Sequence, residues 1–524
     1  MKLFLTFLAF ILPVECLKIL IYQVAVGRSH MSFSGALTDI LADAGHEVHL
    51  LISEWNPSAK DDCTKRATSI RRIRMPPNGT TISHLAHLAD PFKMTVWKYF
   101  SSMEQFKIMK DVPSLFCKMI INDDELMKWL REQHFDAALT SMYDLCPFGL
   151  FHVTGIKPVI GYVATPIISN VIAALKIDSP ASYTPDLMLA TWSGDEMNYG
   201  ERAKNLFVQA FTSHILLPFL RSYQQAVFID KFGNDFPSLM ALASKTSFVF
   251  INSNELFELP RLLSHKIVYI GGIALRPHKK VPEEYSKLLS ERDGSVLFSL
   301  GSLAKTSLMP LEMKNAFIEA FAKFPNYTFI WKVDADAIND PILKRYPNIK
   351  AVSWMPQYDL LRDGRLNAFI THGGLNSINE AIVAGVPMIV IPLFADQNLN
   401  AATAVKRGLA YPLDKWNITT EHVTSALKAL LLDRSYADNA KLLSRMLAKK
   451  PRKPREDFLH YVEFASEFKS VGDNLQLHAV YLNFIQLHCL DIIVPAVIVM
   501  ILFVYMIFVM TRRVLRRVVK LKKE

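Results

Sequence analysis

Residues 354–397, WMPQYDLLRDGRLNAFITHGGLNSINEAIVAGVPMIVIPLFADQ, decide the fold. Within them Leu366–Thr371 (LNAFIT) is short, mostly apolar and rich in β-formers, the pattern of a strand buried in a parallel sheet. His372, Gly373 and Gly374 follow at once, where glycine lets the backbone turn sharply and come close to a ligand. The spacing then predicts a helix over 376–384, whose unpaired N–H groups and positive dipole end point at that turn and make an anion site. Gly385 and Pro387 stop the helix, and 388–391 (MIVI) supplies the next strand. A phosphate held at a strand–turn–helix junction is the physical content of the segment.

The same grammar extends outward. A strand over 18–22 (KILIY), a helix over 35–44 closed by Gly45, and a strand over 47–52 give the doubly wound opening β–loop–α–β. A second such start lies at 295–300 (SVLFSL). It is followed by Gly301-Ser302, a helix from about Leu311 behind Pro310, and strands at Tyr327–Lys332 and Ile349–Val352. Between the two starts, 276–284 carries two prolines and two consecutive lysines and reads as the linker. The middle, 91–239, is rich in helix formers and aromatics; most of these belong to the core, and some line an apolar pocket that sequence does not sort.

The 524 residues suffice for two domains plus tails, and 51% apolar with 21% charged residues fits a globular protein with some membrane sequence. The net charge of +10 is concentrated at the end: 511–524 holds seven Lys and Arg against one Glu, so the basic balance points to a membrane flank and not to nucleic acid. Lys2 and the apolar run that follows, with cleavage after Cys16, read as a secretory signal. The 19 uncharged residues from Ile492 to Met510 are long enough to span a bilayer, Pro495 is tolerated near the start of such a helix, and the basic tail orients it as type I. Sequons begin at Asn78, Asn326 and Asn417 on the side thereby placed in the lumen. Of the five cysteines none forms a CxxC or a His/Cys cluster, so no metal site is expected; an oxidising compartment permits one disulfide, whose pairing the spacing does not name.

WMPQ, THGGLNSINE and PLFADQ, in this order and spacing, resemble the signature of the UDP-glycosyltransferases, in particular the membrane-bound UDP-glucuronosyltransferase type of animals. The resemblance covers nearly the whole chain. It implies an α/β GT-B fold, two facing Rossmann-like domains plus a single C-terminal transmembrane helix. The expected parts are a signal peptide (1–16), an acceptor-binding domain (17–275), a UDP-sugar-binding domain (285–455), helices returning to the first domain (456–490), the span (492–510) and a cytosolic tail (511–524). Lys520 and Lys522 resemble the dilysine signal of endoplasmic-reticulum membrane proteins.

The resemblance also assigns roles. Trp354 matches the residue that stacks on uracil, Gln357 its neighbour around base and ribose, and Glu380 the carboxylate that accepts from the ribose hydroxyls. His372, Asn376, Ser377 and the amides of Gly373 and Gly374 are expected to hold the diphosphate, with Ser302 reaching in from the Gly301 loop. Asp396 and Gln397 match the pair that binds the sugar hydroxyls, and Asp396 also suits a helix cap. His30, expected in the loop after the first strand, matches the catalytic base; an imidazole with a pKa of about 6.5 is mostly neutral there. Such a base needs a carboxylate partner. Ser141 stands where the vertebrate pattern has that Asp, and Asp144 is the substitute candidate.

The implied activity is inverting transfer of glucuronate or glucose from a UDP-sugar co-substrate to a small lipophilic hydroxyl or amine, as in detoxification. Neither a separate cofactor nor a metal is expected, and a homo-oligomer is compatible with it. Rival functions are transfer to a membrane lipid or protein, and non-catalytic binding of a UDP-sugar or lipophile.

Overall fold

Short apolar runs alternating with amphipathic helices assemble into two parallel sheets in a computed structural model that describes residues 16–76, 90–95 and 102–522. The expected signal segment apart from Cys16, the sequon at Asn78 and the last two residues of the tail lie outside the described residues. The first sheet has the strands β1 (Lys18–Val24), β2 (Glu47–Ser53), β3 (Ser69–Ile73), β4 (Ala137–Ser141), β5 (Val159–Val163), β6 (Val249–Ile251) and β7 (Ile267–Tyr269), in the order β3-β2-β1-β4-β5-β6-β7. The second has β8 (Gly294–Ser299), β9 (Tyr327–Lys332), β10 (Ile349–Val352), β11 (Leu366–Thr371), β12 (Met388–Val390) and β13 (Ala410–Pro412), in the order β10-β9-β8-β11-β12-β13.

Each central strand is apolar on both faces because helices cover both faces of a parallel sheet. Ile19 and Ile21 of β1 enter one core, while Leu20, Tyr22 and Val24 enter the core on the other side. The same alternation splits Val296 and Phe298 from Leu297 in β8, and Ile370 from Phe369 in β11. Cys117 and Cys146, whose pairing the sequence left open, form a disulfide between the helices Met103–Ile121 and Cys146–Thr154.

The helix Pro454–Glu467 follows the second sheet in sequence and packs under the first. Phe458, Val462 and Ala465 recur at helical spacing on its buried face, and the Phe458 ring meets Phe250 of β6 at 4.9 Å between centroids. The opposite exchange also occurs: Phe92 sits in the core of the second sheet. There the Lys415 ammonium donates to the carbonyls of Pro91 and Met94, at 3.0 and 2.7 Å.

Two boundaries differ from expectation by more than a few residues. The first helix is Arg28–Asp43, starting seven residues before the expected 35. Gly35 lies inside it because a Cβ there would meet the carbonyl oxygen of Cys63 at 2.0 Å, so that glycine serves close packing and not a helix start. His30 therefore belongs to the first turn of a helix and not to a loop. The segment returning to the first domain ends at Leu475, short of the expected 490; the chain from Gln476 on is a second compact unit.

That unit contains the helix Leu490–Leu521, long and apolar enough to cross a membrane, with Pro495 inside it. The stretch from Ile492 to Met510 rises about 29 Å at 1.5 Å per residue, close to the thickness of a hydrocarbon core. The helix continues without a break past Arg512 and Arg517.

Replacing Phe458 by Ala removes a fully buried ring between the returning helix and β6. Such truncations cost about 3–5 kcal/mol. The expected result is a lowered Tm of the detergent-solubilised protein. An unchanged Tm would show that the helix contributes nothing to the first core.

Candidate functional site

Parallel α/β sheets present their ligand-binding turns at the carboxyl ends of the strands, and here both sheets direct those ends at one space. A cavity of about 570 Å³ is lined by the turns after β1 (Gly27 to His30), β4 (Tyr143, Leu145), β8 (Gly301 to Leu303), β11 (His372 and Gly374 to Ser377, without Gly373) and β12 (Phe394 to Gln397). A second cavity of about 590 Å³ shares Met109, Tyr143, Ile168 and Leu187 with it, so the apolar side continues beyond the junction.

On the second sheet, the helix Leu375–Ala384 begins one residue before expected, directly after Gly374, and no side chain caps its first N–H groups. Gly301 and Gly373 both adopt positive φ (+81° and +79°), which glycine accepts without strain. A Cβ on Gly301 would lie 2.6 Å from the His372 ring, and one on Gly374 would lie 2.5 Å from it. Both glycines thus make room for the imidazole itself. Burial, and then the Lys332 ammonium, lower the pKa of His372 to about 4, leaving the ring neutral. Lys332 ends β9 and donates to the Gly301 carbonyl at 2.7 Å.

The other expected donor residues gather around this turn. Gln357 Nε2 donates to Ser377 Oγ at 3.2 Å and to Glu380 Oε2 at 2.5 Å. Burial raises the pKa of Glu380 to about 7 despite that hydrogen bond. Trp354 keeps 59% of its surface exposed, its ring lying under two cations: the Arg28 guanidinium at 5.1 Å and the Lys332 ammonium at 5.7 Å. Ser302 is exposed on the cavity wall.

Asp396 is the residue before the helix Gln397–Lys406, but its carboxylate does not cap it; it accepts from Asn400 Nδ2 at 2.8 Å, and burial raises its pKa to about 6. Gln397 spends its amide oxygen on the backbone N–H groups of Leu393 and Phe394, at 2.8 and 3.1 Å, leaving only its NH2 for a sugar. Asn376 accepts at Oδ1 from Asn252 Nδ2 of the first domain at 2.9 Å, a tie across the cleft. Asn326 and Asn417 occupy exposed positions away from the cavity lining.

On the first sheet, His30 faces the cavity with its Nδ1 3.4 Å from Ser29 Oγ and its ring edge-to-face with Tyr143, 5.2 Å between centroids. Burial lowers its pKa to about 4. The expected pairing with Asp144 is not formed. One Asp144 oxygen accepts from Tyr22 Oη at 2.8 Å, and the other from Gln224 Nε2 at 2.5 Å and the Cys146 N–H at 3.0 Å. Burial raises the Asp144 pKa, the fate of a carboxyl enclosed with only neutral donors. Ser141 is buried at the end of β4.

Sequence reasoning missed Arg28, Lys332, Tyr143 and Asn252. Arg28 and Lys332 carry a local signal, since each is a cation at the carboxyl end of a strand or the start of a helix. Nothing local marks Tyr143 or Asn252, which gain meaning from neighbours far along the chain.

Residues 18–524 match the family described as UDP-glucuronosyl and UDP-glucosyl transferase. Human UDP-glucuronosyltransferase 2B7 is 30% identical over 491 residues, covering 91% of this chain and 89% of its own. The inferred UDP-glucuronosyltransferase ugt-48 of Caenorhabditis elegans is 28% identical over 507 residues, 94% of each chain. Among solved structures, the calicheamicin glycosyltransferase CalG4 superposes with a TM-score of 0.59 at 15% identity, covering 87% of this chain and 99% of its own. The kitacinnamycin glycosyltransferase does so with a TM-score of 0.58 at 18% identity, covering 86% and 98%. These structural likenesses carry the two-domain GT-B fold.

The raised pKa of Glu380 gives a pH signature. In the role the sequence resemblance assigns to Glu380, the ionised carboxylate accepts from ribose hydroxyls, and that form fades as pH falls through about 7. Affinity for UDP-glucose, whose diphosphate diester does not titrate in this range, should therefore weaken between pH 8 and 6.5 in titration calorimetry. Glu380→Gln should bind more weakly, by roughly 10- to 150-fold for a lost charged hydrogen bond, and without that slope. An unaltered slope in the variant would place the titrating group elsewhere.

Proposed function

The chain belongs to the UDP-glucuronosyl and UDP-glucosyl transferase family, and from that premise we propose that it moves glucuronate or glucose from its UDP-sugar to a hydroxyl of a small lipophilic acceptor, with inversion. The observation that carries this is the shared cavity. His30, the phosphate turn and an apolar wall including Met109, Leu145, Ile168 and Leu220 line one space of the size that holds a small molecule. The enclosure favours a small acceptor over a protein.

The chemistry divides between the domains. A lone pair of the acceptor oxygen forms the new bond to the anomeric carbon as the bond from that carbon to the diphosphate breaks. UDP leaves with the electron pair, and His30 takes the acceptor proton. Charge developing on UDP is met by the free N–H groups at the start of the helix Leu375–Ala384, by Asn376 and Ser377, and by the nearby Lys332 and Arg28 cations, all in place before reaction. Trp354 stacks on uracil, Gln357 and Glu380 take the ribose, and Asp396 and Gln397 take the sugar.

His30 works without a carboxylate. With Asp144 held by Tyr22 and Gln224, nothing anionic raises the imidazole basicity, so proton transfer succeeds best from an acceptor that is itself acidic. Phenols, near pKa 10, are then better acceptors than alkanols.

We place the body of the chain in the lumen of the endoplasmic reticulum, with Asn78, Asn326 and Asn417 available to glycan transfer, and assign the activity to conjugation of lipophiles for disposal. The apolar helix with its basic flank supports this orientation. Protease added to sealed microsomes should remove only the short tail; digestion of the body without detergent would reverse the topology.

His30→Ala should lower transfer to an alkanol by about 10²- to 10⁴-fold, the usual contribution of a general base. The loss on a nitrophenol, already largely ionised, should be much smaller. Product formation from both acceptors, measured with UDP-glucuronate and UDP-glucose, reads this directly. A variant transferring to the alkanol at the wild-type rate would remove His30 from the mechanism.

A further inference from the structure

The apolar wall of the cavity contains one guanidinium with no carboxylate beside it. Arg221, on the helix Leu217–Phe232, lines the same cavity as His30, whose wall also includes Pro113, Leu145, Leu217, Leu220, Asn170 and Gln224. Its Nε and Nη2 donate to a single acceptor, Asn170 Oδ1, at 3.2 and 2.7 Å. Among the described residues it forms no ion pair. Asn170 is itself fixed, its Nδ2 donating to the carbonyls of Met142 at 3.0 Å and Tyr143 at 3.5 Å. The guanidinium is therefore held in place by a rigid neutral amide, with the rest of its donor fork free.

A partly desolvated cation facing only a neutral amide is an expensive arrangement. Burial lowers its pKa to about 10, with no neighbouring charge acting against that shift. A carboxylate supplied by a ligand would complete the fork with two parallel hydrogen bonds, the geometry guanidinium accepts best. The cations of the donor side are engaged elsewhere: Arg28 and Lys332 lie over Trp354.

We propose that the acceptors of this enzyme are lipophilic hydroxy acids, whose carboxylate is bound by Arg221 while the hydroxyl is presented to His30. This rests on the transferase reading above and adds the class of acceptor. The carboxylate stays intact; the hydroxyl oxygen forms the bond to the sugar, its proton passes to His30, and UDP leaves. Asn170 is a positioning residue, acting through Arg221.

The test compares 4-(4-hydroxyphenyl)butyrate with its methyl ester as acceptors for the full-length protein in detergent. With wild type, kcat/KM for the acid should exceed that for the ester at least tenfold. Arg221→Gln should lower the acid at least tenfold more than the ester, and Arg221→Lys should retain part of the preference. Asn170→Asp keeps the guanidinium but pairs it internally, and it too should abolish the preference. A wild-type ratio near one overturns the proposal, as does attachment of sugar to the carboxylate, seen as a base-labile ester product.

Both donors, UDP-glucuronate and UDP-glucose, are run in parallel. An Arg221→Gln effect that follows the donor and not the acceptor would assign the cation to the sugar carboxylate and overturn the proposal. Calorimetric binding of 4-phenylbutyrate against 4-phenylbutyramide needs no transfer, so it separates the two inferences. Tighter binding of the acid to wild type, lost in Arg221→Gln, supports Arg221 even if no sugar moves; equal binding of acid and amide overturns it.

Discussion

The imidazole of His372, packed between Gly301 and Gly374, is the contact on which the site depends. It joins the turn after β8 to the turn after β11, so these two loops of the cavity are locked to each other by one ring. The ring fits only because neither glycine carries a Cβ, and it stays neutral because burial and Lys332 both oppose its protonation. A neutral, fixed ring offers a hydrogen bond without first having to shed water or gain a proton. The helix that follows then begins at a set place, with its N–H groups free.

From that helix the order passes to the other domain. Asn252 donates to Asn376 in the first turn, and Asn379 donates back to the Asn252 carbonyl at 3.1 Å, so this helix is tied directly to the first domain. Arg407 adds hydrogen bonds to the carbonyls of Phe257 and Glu258, and Arg276 pairs with Asp359. These ties hold β1 opposite β11, which places His30 on the same cavity as the phosphate turn.

Burial governs the charge state of the cleft. It raises the pKa of Glu380, Asp396 and Asp144 and lowers that of His30 and His372, so the ionisable groups drift toward neutrality together. The cationic side chains at the cleft are Arg28, Lys332 and Arg221. A low-dielectric cleft of that kind strengthens the attraction of an anionic donor. Asp144, held by Tyr22 and Gln224, leaves burial as the cause that acts on the His30 imidazole.

The sequence by itself determined what is local. The run from Leu366 to Val390 announces strand, turn, helix and strand because period, glycine and helix-stop signals act within a few residues of one another, and the apolar helix after Cys489 is equally self-declaring. Tertiary structure decided the rest. Gly35 lies inside the first helix and not at its start, packed on Cys63, a neighbour 28 residues away that no local pattern reveals. Asp144 is drawn away from His30 by Tyr22 and Gln224, at sequence separations of 122 and 80. The cations over Trp354 come from both domains, and Asn170 meets Arg221 across 51 residues. Backbone conformation is set by neighbours in the chain, whereas a side chain's partner, and with it the charge and chemistry of that side chain, is set by whichever distant element the packing brings against it.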